Sequence, residues 1–172
     1  VENIGVHRLD RALHRRTIRC GRRACLVIDD FGAVLLQRFA GAVGSAAGQM
    51  AAIAGCRVIG SAGSEEKLAW LRELGFDAAF NYREQGPREA LAELAPDGID
   101  IYFDNVGGEH LEAAIGALRT HGRVVACGSI SRYNDAEPTP GPRNMFMVVT
   151  KRLRLQGYII TDHFDRFQEF AQ

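Results

Sequence analysis

Short apolar runs alternate with helically spaced apolar positions along most of the chain. Two runs near the start have the length and composition of a buried strand, Ala24-Cys25-Leu26-Val27-Ile28 and Ala33-Val34-Leu35-Leu36. The second leads directly into a turn of small residues and is the preferred first strand. An Ala-rich, nearly uncharged stretch then predicts a helix over Gly44–Ala54, and Arg57–Gly60 reads as the next strand. Ser64 followed by Glu65 and Glu66 is an N-cap with first-turn acids. It opens a helix that carries Leu68, Leu71 and Leu74 on one face and ends at Gly75. Further along, strands are expected at Ala78–Phe80, Ile99–Phe103, Arg123–Cys127 and Leu153–Ile160. Helices are expected at Pro87–Leu94, Glu109–Leu118 and Asn144–Lys151, with one more opening at Phe164–Gln172. This alternation predicts an α/β fold of the Rossmann kind, a doubly wound parallel sheet with helices on both faces.

The first strand-to-helix junction has the pattern of a phosphate-binding turn. Gly41 would let the backbone approach a pyrophosphate, Gly44 would let the helix pack close to the sheet, and Ala42 and Val43 lie between them. A Gly/Ala-rich helix packed tightly on a sheet accounts for the same letters. Arg38 stands where such turns usually have their first small residue, so the turn is not ideal.

In open parallel sheets the ligand lies across the carboxyl ends of the strands, so the residues just past each strand are the informative ones. After the second strand an NAD-binding fold places a carboxylate on the ribose hydroxyls. Here the chain reads Gly60-Ser61-Ala62-Gly63-Ser64, with no acid before Glu65. Hydroxyls at Ser61 and Ser64, the small Gly63, the cation Lys67 and a helix N-terminus suit a 2′-phosphate, and therefore NADP(H). A capped helix with a solvated lysine is the plainer reading. Tyr82 follows the third strand and either reaches the same phosphate or stands as a surface tyrosine. Asn105 and Gly107 follow the fourth strand, where a small polar turn would pass beneath a cofactor. Cys127 and Ser129 follow the fifth, near where a nicotinamide would lie. Tyr133, in the loop beyond, is the candidate donor to a substrate carbonyl, or an ordinary loop tyrosine.

Composition narrows the alternatives. The chain has 172 residues, 47% hydrophobic and 24% charged, with 21 basic and 21 acidic side chains, which gives no electrostatic reason to expect nucleic acid or an anionic membrane. The arginine-dense stretch His7–Ala24 lacks the interleaved aromatics that would stack on bases. Neither a membrane-length apolar run nor a signal peptide is visible, and the 4 cysteines are scattered, which predicts reduced thiols in a cytoplasmic protein. The histidines show no metal-ligand spacing, so no metal is expected. No nucleophile elbow or P-loop occurs, and no tyrosine is followed four positions later by lysine. Hydride transfer in this chain would rest on cofactor placement.

The segments AGAVGSAAGQMA, GCRVIGSAGSEEKLAWL, GFDAAFNY, DGIDIYFDNVGGEHL, GRVVACGSIS with the YN that follows, and PGPRN with RLRLQGYI resemble the medium-chain dehydrogenase/reductase superfamily. Within it they are similar to the zinc-independent group of leukotriene B4 dehydrogenases, prostaglandin reductases and curcumin reductases, over roughly residues 33 to 170. The resemblance implies NADPH-dependent reduction of the C=C bond of α,β-unsaturated ketones and aldehydes. It assigns Gly41, Ala42, Val43 and Gly44 to the pyrophosphate and Ser64, Lys67 and Tyr82 to the 2′-phosphate. Asn105 goes to the middle of the cofactor, Cys127, Ser129 and Ile130 to the nicotinamide half, and Tyr133 to the substrate. Against the family pattern, an N-terminal GroES-like substrate domain is expected to be absent and residues 33–172 to form a C-terminally incomplete NADP-binding domain. Residues 1–32 are expected to be atypical. Reading the codons for His7–Arg16 one base later permits a run resembling the family's helix, so part of this stretch is a candidate frame-shifted remnant.

Three functional readings follow. The chain is the cofactor domain of an enone or enal reductase, of a quinone reductase in the same superfamily, or a non-catalytic NADP(H)-binding fragment. In each the partner is a small molecule, with a homodimer through an edge strand as a further possibility. Without a domain to exclude water from the nicotinamide, turnover by this chain alone is expected to be very weak or absent.

Overall fold

The computed structural model describes residues 25–29, 42–137 and 140–166. Six parallel strands form one sheet in the order β3-β2-β1-β4-β5-β6. They are β1 Cys25–Asp29, β2 Arg57–Ala62, β3 Ala78–Asn81, β4 Ile99–Asp104, β5 Leu118–Ala126 and β6 Arg154–Gly157. The helices are α1 Ala42–Ile53, α2 Glu65–Glu73, α3 Pro87–Leu94, α4 Gly108–Ala117 and α5 Phe146–Thr150. The expected doubly wound Rossmann fold is therefore present. Its strand order reverses between β1 and β4, and the crevice for a ligand opens there.

The preferred first strand was the wrong one of the two runs. The strand is Cys25–Asp29, paired with β2 on one side (Cys25 with Arg57, Ile28 with Gly60) and with β4 on the other (Leu26 with Ile101). A central parallel strand is covered on both faces and favours an unbroken β-branched, apolar run, which Cys25–Ile28 supplies. Ala33–Leu36, Arg38 and Gly41 lie outside the described residues.

Helices cover both faces of the sheet. On one, Ala90 and Leu91 of α3 and Ala113, Ala114 and Ile115 of α4 pack on Ile99, Tyr102 and Val124. On the other, Ala51 of α1 and Leu68 and Leu71 of α2 pack with Phe76 on Val58 and Ala62. Phe76 fits because two glycines flank it. A Cβ at Gly48 of α1 would stand 2.0 Å from its Cζ, and one at Gly60 of β2 would sit 2.9 Å from its Cδ1.

The later elements are shorter or shifted relative to expectation. β5 starts at Leu118, directly after α4, with a register break where Ile99 pairs Leu118 but Ile101 pairs Arg123. β6 ends at Gly157 instead of Ile160, because its partner β5 ends at the Ala126 that Gly157 faces. α5 covers only Phe146–Thr150 of the expected Asn144–Lys151. Arg23–Tyr158 forms one compact unit; Ile160–Arg166, taken by itself, is 3₁₀ with a kink at the non-helical His163, and most of the helix expected over Phe164–Gln172 lies outside the described residues. No helix among the described residues is long and apolar enough to cross a membrane.

Candidate functional site

The end of β4 is built on one buried carboxylate. Asp104 is 2% exposed, and its Oδ1 accepts from the Gly107 N–H at 2.8 Å, the Val106 N–H at 3.1 Å and the Tyr102 hydroxyl at 3.2 Å. These bonds fold Asn105-Val106-Gly107 into a tight turn. Gly107 has φ 71° and ψ −152°, a conformation open in practice only to glycine, and a Cβ there would strike the Ser129 hydroxyl.

The loop after β5 is laced onto this turn. The Cys127 and Gly128 N–H groups donate to the Asp104 carbonyl at 2.8 and 3.0 Å, and the Ile130 N–H donates to the Asn105 carbonyl at 3.0 Å. The Ser131 hydroxyl donates to the Val106 carbonyl at 2.5 Å. Tyr133 folds back so that its hydroxyl oxygen accepts the Ser129 N–H at 3.3 Å, while the side chain stays 67% exposed. Asn105, Gly107, Cys127, Ser129, Ile130 and Tyr133 are thus brought together at one place. Burial, and secondarily the Asp104 carboxylate, push the Cys127 thiol up from its ordinary value, which favours the protonated thiol.

A second cluster forms where β2 and β3 end. Their register pairs Ala62 with Asn81, so the loops leave side by side. Ser61 is buried. Ser64 caps α2, its hydroxyl accepting the Lys67 N–H at 3.5 Å. Tyr82 lies over Gly63 so closely that a Cβ at residue 63 would stand 2.5 Å from the phenolic oxygen and 3.1 Å from Arg83 Nε. The Arg83 guanidinium carbon is 6.0 Å from the centre of the Tyr82 ring, and the His110 ring of α4 meets Tyr82 edge-on with centroids 5.6 Å apart. Ser61, Gly63, Ser64, Lys67 and Tyr82 therefore share one end of the sheet.

At the third part of the predicted site, Ala42, Val43 and Gly44 form the first turn of α1, whose N–H groups have no acceptor within the helix. Gly41 lies outside the described residues. Asp104, Arg83 and His110 were missed by sequence reasoning. Asp-Asn-x-Gly is a turn signature that pointed to Asp104, and Arg83 follows directly on the tyrosine that was singled out. No group of three or more His, Cys, Asp or Glu is placed to hold a metal ion among the described residues.

The family model described as zinc-binding dehydrogenase matches residues 42–172. The chain belongs to this family. Within the zinc-binding dehydrogenase family, prostaglandin reductase 1 of Rattus norvegicus is 48% identical over 129 residues, 74% of this chain and 39% of that protein. The 2-alkenal reductase (NADP(+)-dependent) of Nicotiana tabacum is 45% identical over 141 residues, 81% of this chain and 41% of that protein. Among solved structures, CurA from Vibrio vulnificus in complex with NADPH superposes with a TM-score of 0.74 at 39% identity, over 87% of this chain and 44% of that one. The resemblance to the prostaglandin reductase group of medium-chain dehydrogenases/reductases is thus borne out. The chain spans about two fifths of the length of the curated relatives it matches.

Proposed function

We propose that this chain is the NADP(H)-binding domain of a zinc-independent oxidoreductase that reduces the C=C bond of α,β-unsaturated ketones and aldehydes. The observation that carries the reading is the end of β2. Where an NAD-binding fold needs a carboxylate the chain has Gly63 under the Tyr82 phenol, with Ser64 capping α2 and Lys67 in its first turn, while Ser61 itself is buried. A carboxylate would repel a 2′-phosphate, whereas hydroxyls, an ammonium and a helix N-terminus attract one.

The remaining residues divide the work. The first turn of α1 (Ala42, Val43, Gly44), together with Gly41, would hold the pyrophosphate. Asn105 and Gly107 would pass beneath the middle of the dinucleotide, and Cys127, Ser129 and Ile130 would flank the nicotinamide. NADPH would supply a hydride for the β-carbon of the enone or enal. The hydroxyl of Tyr133 already accepts the Ser129 N–H, so its own proton is left to donate to the substrate carbonyl oxygen as negative charge develops there.

Relatives named for alkenal and prostaglandin reduction support this reading. A quinone oxidoreductase from Thermus thermophilus, whose structure matches with a TM-score of 0.62 at 28% identity, supports quinone reduction as the second reading. The free thiols of Cys25, Cys56 and Cys127 suit a reducing, cytoplasmic setting. β6 lies at the edge of the sheet among the described residues and all its residues are exposed, which suits a homodimer. Titration calorimetry with NADPH and NADH, followed by alkenal and quinone reduction assays, tests the proposal. NADPH binding with a clear preference over NADH is expected, and equal binding of the two would overturn the cofactor assignment. Binding without turnover of either substrate class would leave a non-catalytic NADP(H)-binding module.

A further inference from the structure

We infer that Arg83 is a second cation of the cofactor site and sets its preference for a 2′-phosphorylated dinucleotide, an inference that rests on the NADP(H) reading above. The geometry begins with the parallel register of β2 and β3, which sets Gly63 beside the chain leaving β3. The Tyr82 N–H donates to the Ala62 carbonyl at 3.2 Å, which extends the pairing one residue beyond the strand. Asn81 then turns the chain, its Oδ1 accepting the Arg83 N–H at 3.1 Å and its Nδ2 donating to Glu84 Oε1 at 2.7 Å. The result is that the Tyr82 phenol and the Arg83 guanidinium both overhang the bare Cα of Gly63.

Charge makes the arrangement specific. Arg119 and Arg143 are paired with Asp100 at 2.8 Å and Glu112 at 3.2 Å. The exposed guanidinium of Arg83 has no carboxylate partner among the described residues, its contact being the Tyr82 ring. Glu84, its neighbour in sequence, is taken up by Asn81. Glu65 and Glu66 share the first turn of α2 with Lys67, so lysine alone does not make this corner positive. A planar guanidinium with a fork of donors, 6.0 Å from the centre of an aromatic ring and with no carboxylate partner among the described residues, is suited to a phosphate monoester. Without a side chain at Gly63 the phenol and the guanidinium close over the same point, and a phosphate at their outer edge would meet both.

The test uses the full chain and two nucleotides that differ only in the 2′-phosphate, 2′,5′-ADP and 5′-AMP. Arg83→Ala should weaken 2′,5′-ADP about tenfold or more, the value of a charge-assisted hydrogen bond, and leave 5′-AMP within about twofold. Arg83→Lys should recover part of the loss, and the salt dependence of 2′,5′-ADP binding should fall in Arg83→Ala. If the unaltered chain prefers 2′,5′-ADP and Arg83→Ala keeps that preference, the role of Arg83 is refuted while the NADP(H) reading stands. A similar loss on both nucleotides would mark Arg83 as merely structural and also overturn the inference. If the unaltered chain does not distinguish the two nucleotides, the NADP(H) reading itself fails and takes the inference with it.

Discussion

A Cβ at residue 63 would stand 2.5 Å from the phenolic oxygen of Tyr82 and 2.9 Å from its Cζ, so it is the bareness of Gly63 that lets the tyrosine lie over the end of β2. The position does not need a positive φ, so alanine is acceptable to the backbone there. Gly63→Ala should therefore leave stability within about 1 kcal/mol, since the lost contact is offset by a less flexible unfolded chain. It should nonetheless displace Tyr82 and weaken NADPH about tenfold, the worth of one charge-assisted hydrogen bond, with a smaller effect on NADH. Calorimetric titration and a thermal melt on the same sample separate the two effects. Unchanged NADPH affinity in a folded variant would show that Tyr82 takes no part in binding.

The wedge of Phe76 between Gly48 and Gly60 makes a different kind of prediction. Here the glycines serve packing, since a Cβ at either position would overlap the ring. Gly48→Ala and Gly60→Ala should each cost about 1–3 kcal/mol from overpacking. Phe76→Ala should cost about 3–5 kcal/mol from the cavity it leaves. Because every near contact of a Cβ at Gly48 is with the ring, the double variant Gly48→Ala/Phe76→Ala should be less destabilised than the sum of the single variants. Urea unfolding curves would show this, and strict additivity would mean that the ring moves away at no cost.

The sheet was legible in the sequence because parallel strands buried on both faces leave short apolar runs, and because Ser64, Gly75 and Pro87 punctuate the helices between them. The choice of first strand failed for a definite reason. Adjacency to the glycine turn was weighed above β-propensity, although the run Cys25-Leu26-Val27-Ile28 was the better central strand. Local pattern also could not anticipate that β6 stops where β5 stops, since an edge strand's length is set by its neighbour. At the site, residues following each strand were found because topology alone gathers them. Arg83 and His110 escaped because their roles depend on loops crossing in space. Asp104 escaped because its worth is the number of backbone N–H groups it satisfies, which no single residue letter reveals.

Asp104 should then be the most sensitive residue of the turn. Alanine at this position leaves the buried N–H groups of Val106 and Gly107 and the Tyr102 hydroxyl without the acceptor they now share. Unsatisfied buried donors cost about 1–3 kcal/mol each, so Asp104→Ala should lose about 3 kcal/mol or more. Asp104→Asn keeps one carbonyl oxygen at the turn and should lose less. The loop carrying Cys127, Ser129 and Ile130 hangs on the Asp104 and Asn105 carbonyls, so hydrogen exchange should accelerate there as well as in the turn. Equal stability of Asp104→Ala and the parent chain would remove this carboxylate from the account.

The loop before α5 is pinned by charge, and its contribution should depend on pH in a defined direction. Glu112 of α4 accepts the Arg143 N–H at 3.0 Å on Oε2 and Arg143 Nη2 at 3.2 Å on Oε1, and its carbonyl accepts Asn144 Nδ2 at 2.8 Å. The bonds from Arg143, the backbone N–H foremost, hold the Glu112 carboxyl below its usual value of 4.5. A carboxyl whose pKa is lower in the folded state stabilises the fold above its unfolded pKa and loses that contribution as pH falls through the folded value. At pH 7 the parent chain should therefore melt above Glu112→Gln, which keeps an acceptor for the Arg143 N–H but lacks the charge. The gap should be constant down to about pH 5, shrink below about 4.5, and close in stronger acid. Melting temperatures of the two proteins between pH 3 and 7 test this. A gap independent of pH would show that the loop is held by neutral hydrogen bonds alone, with Asn144 as the principal tie.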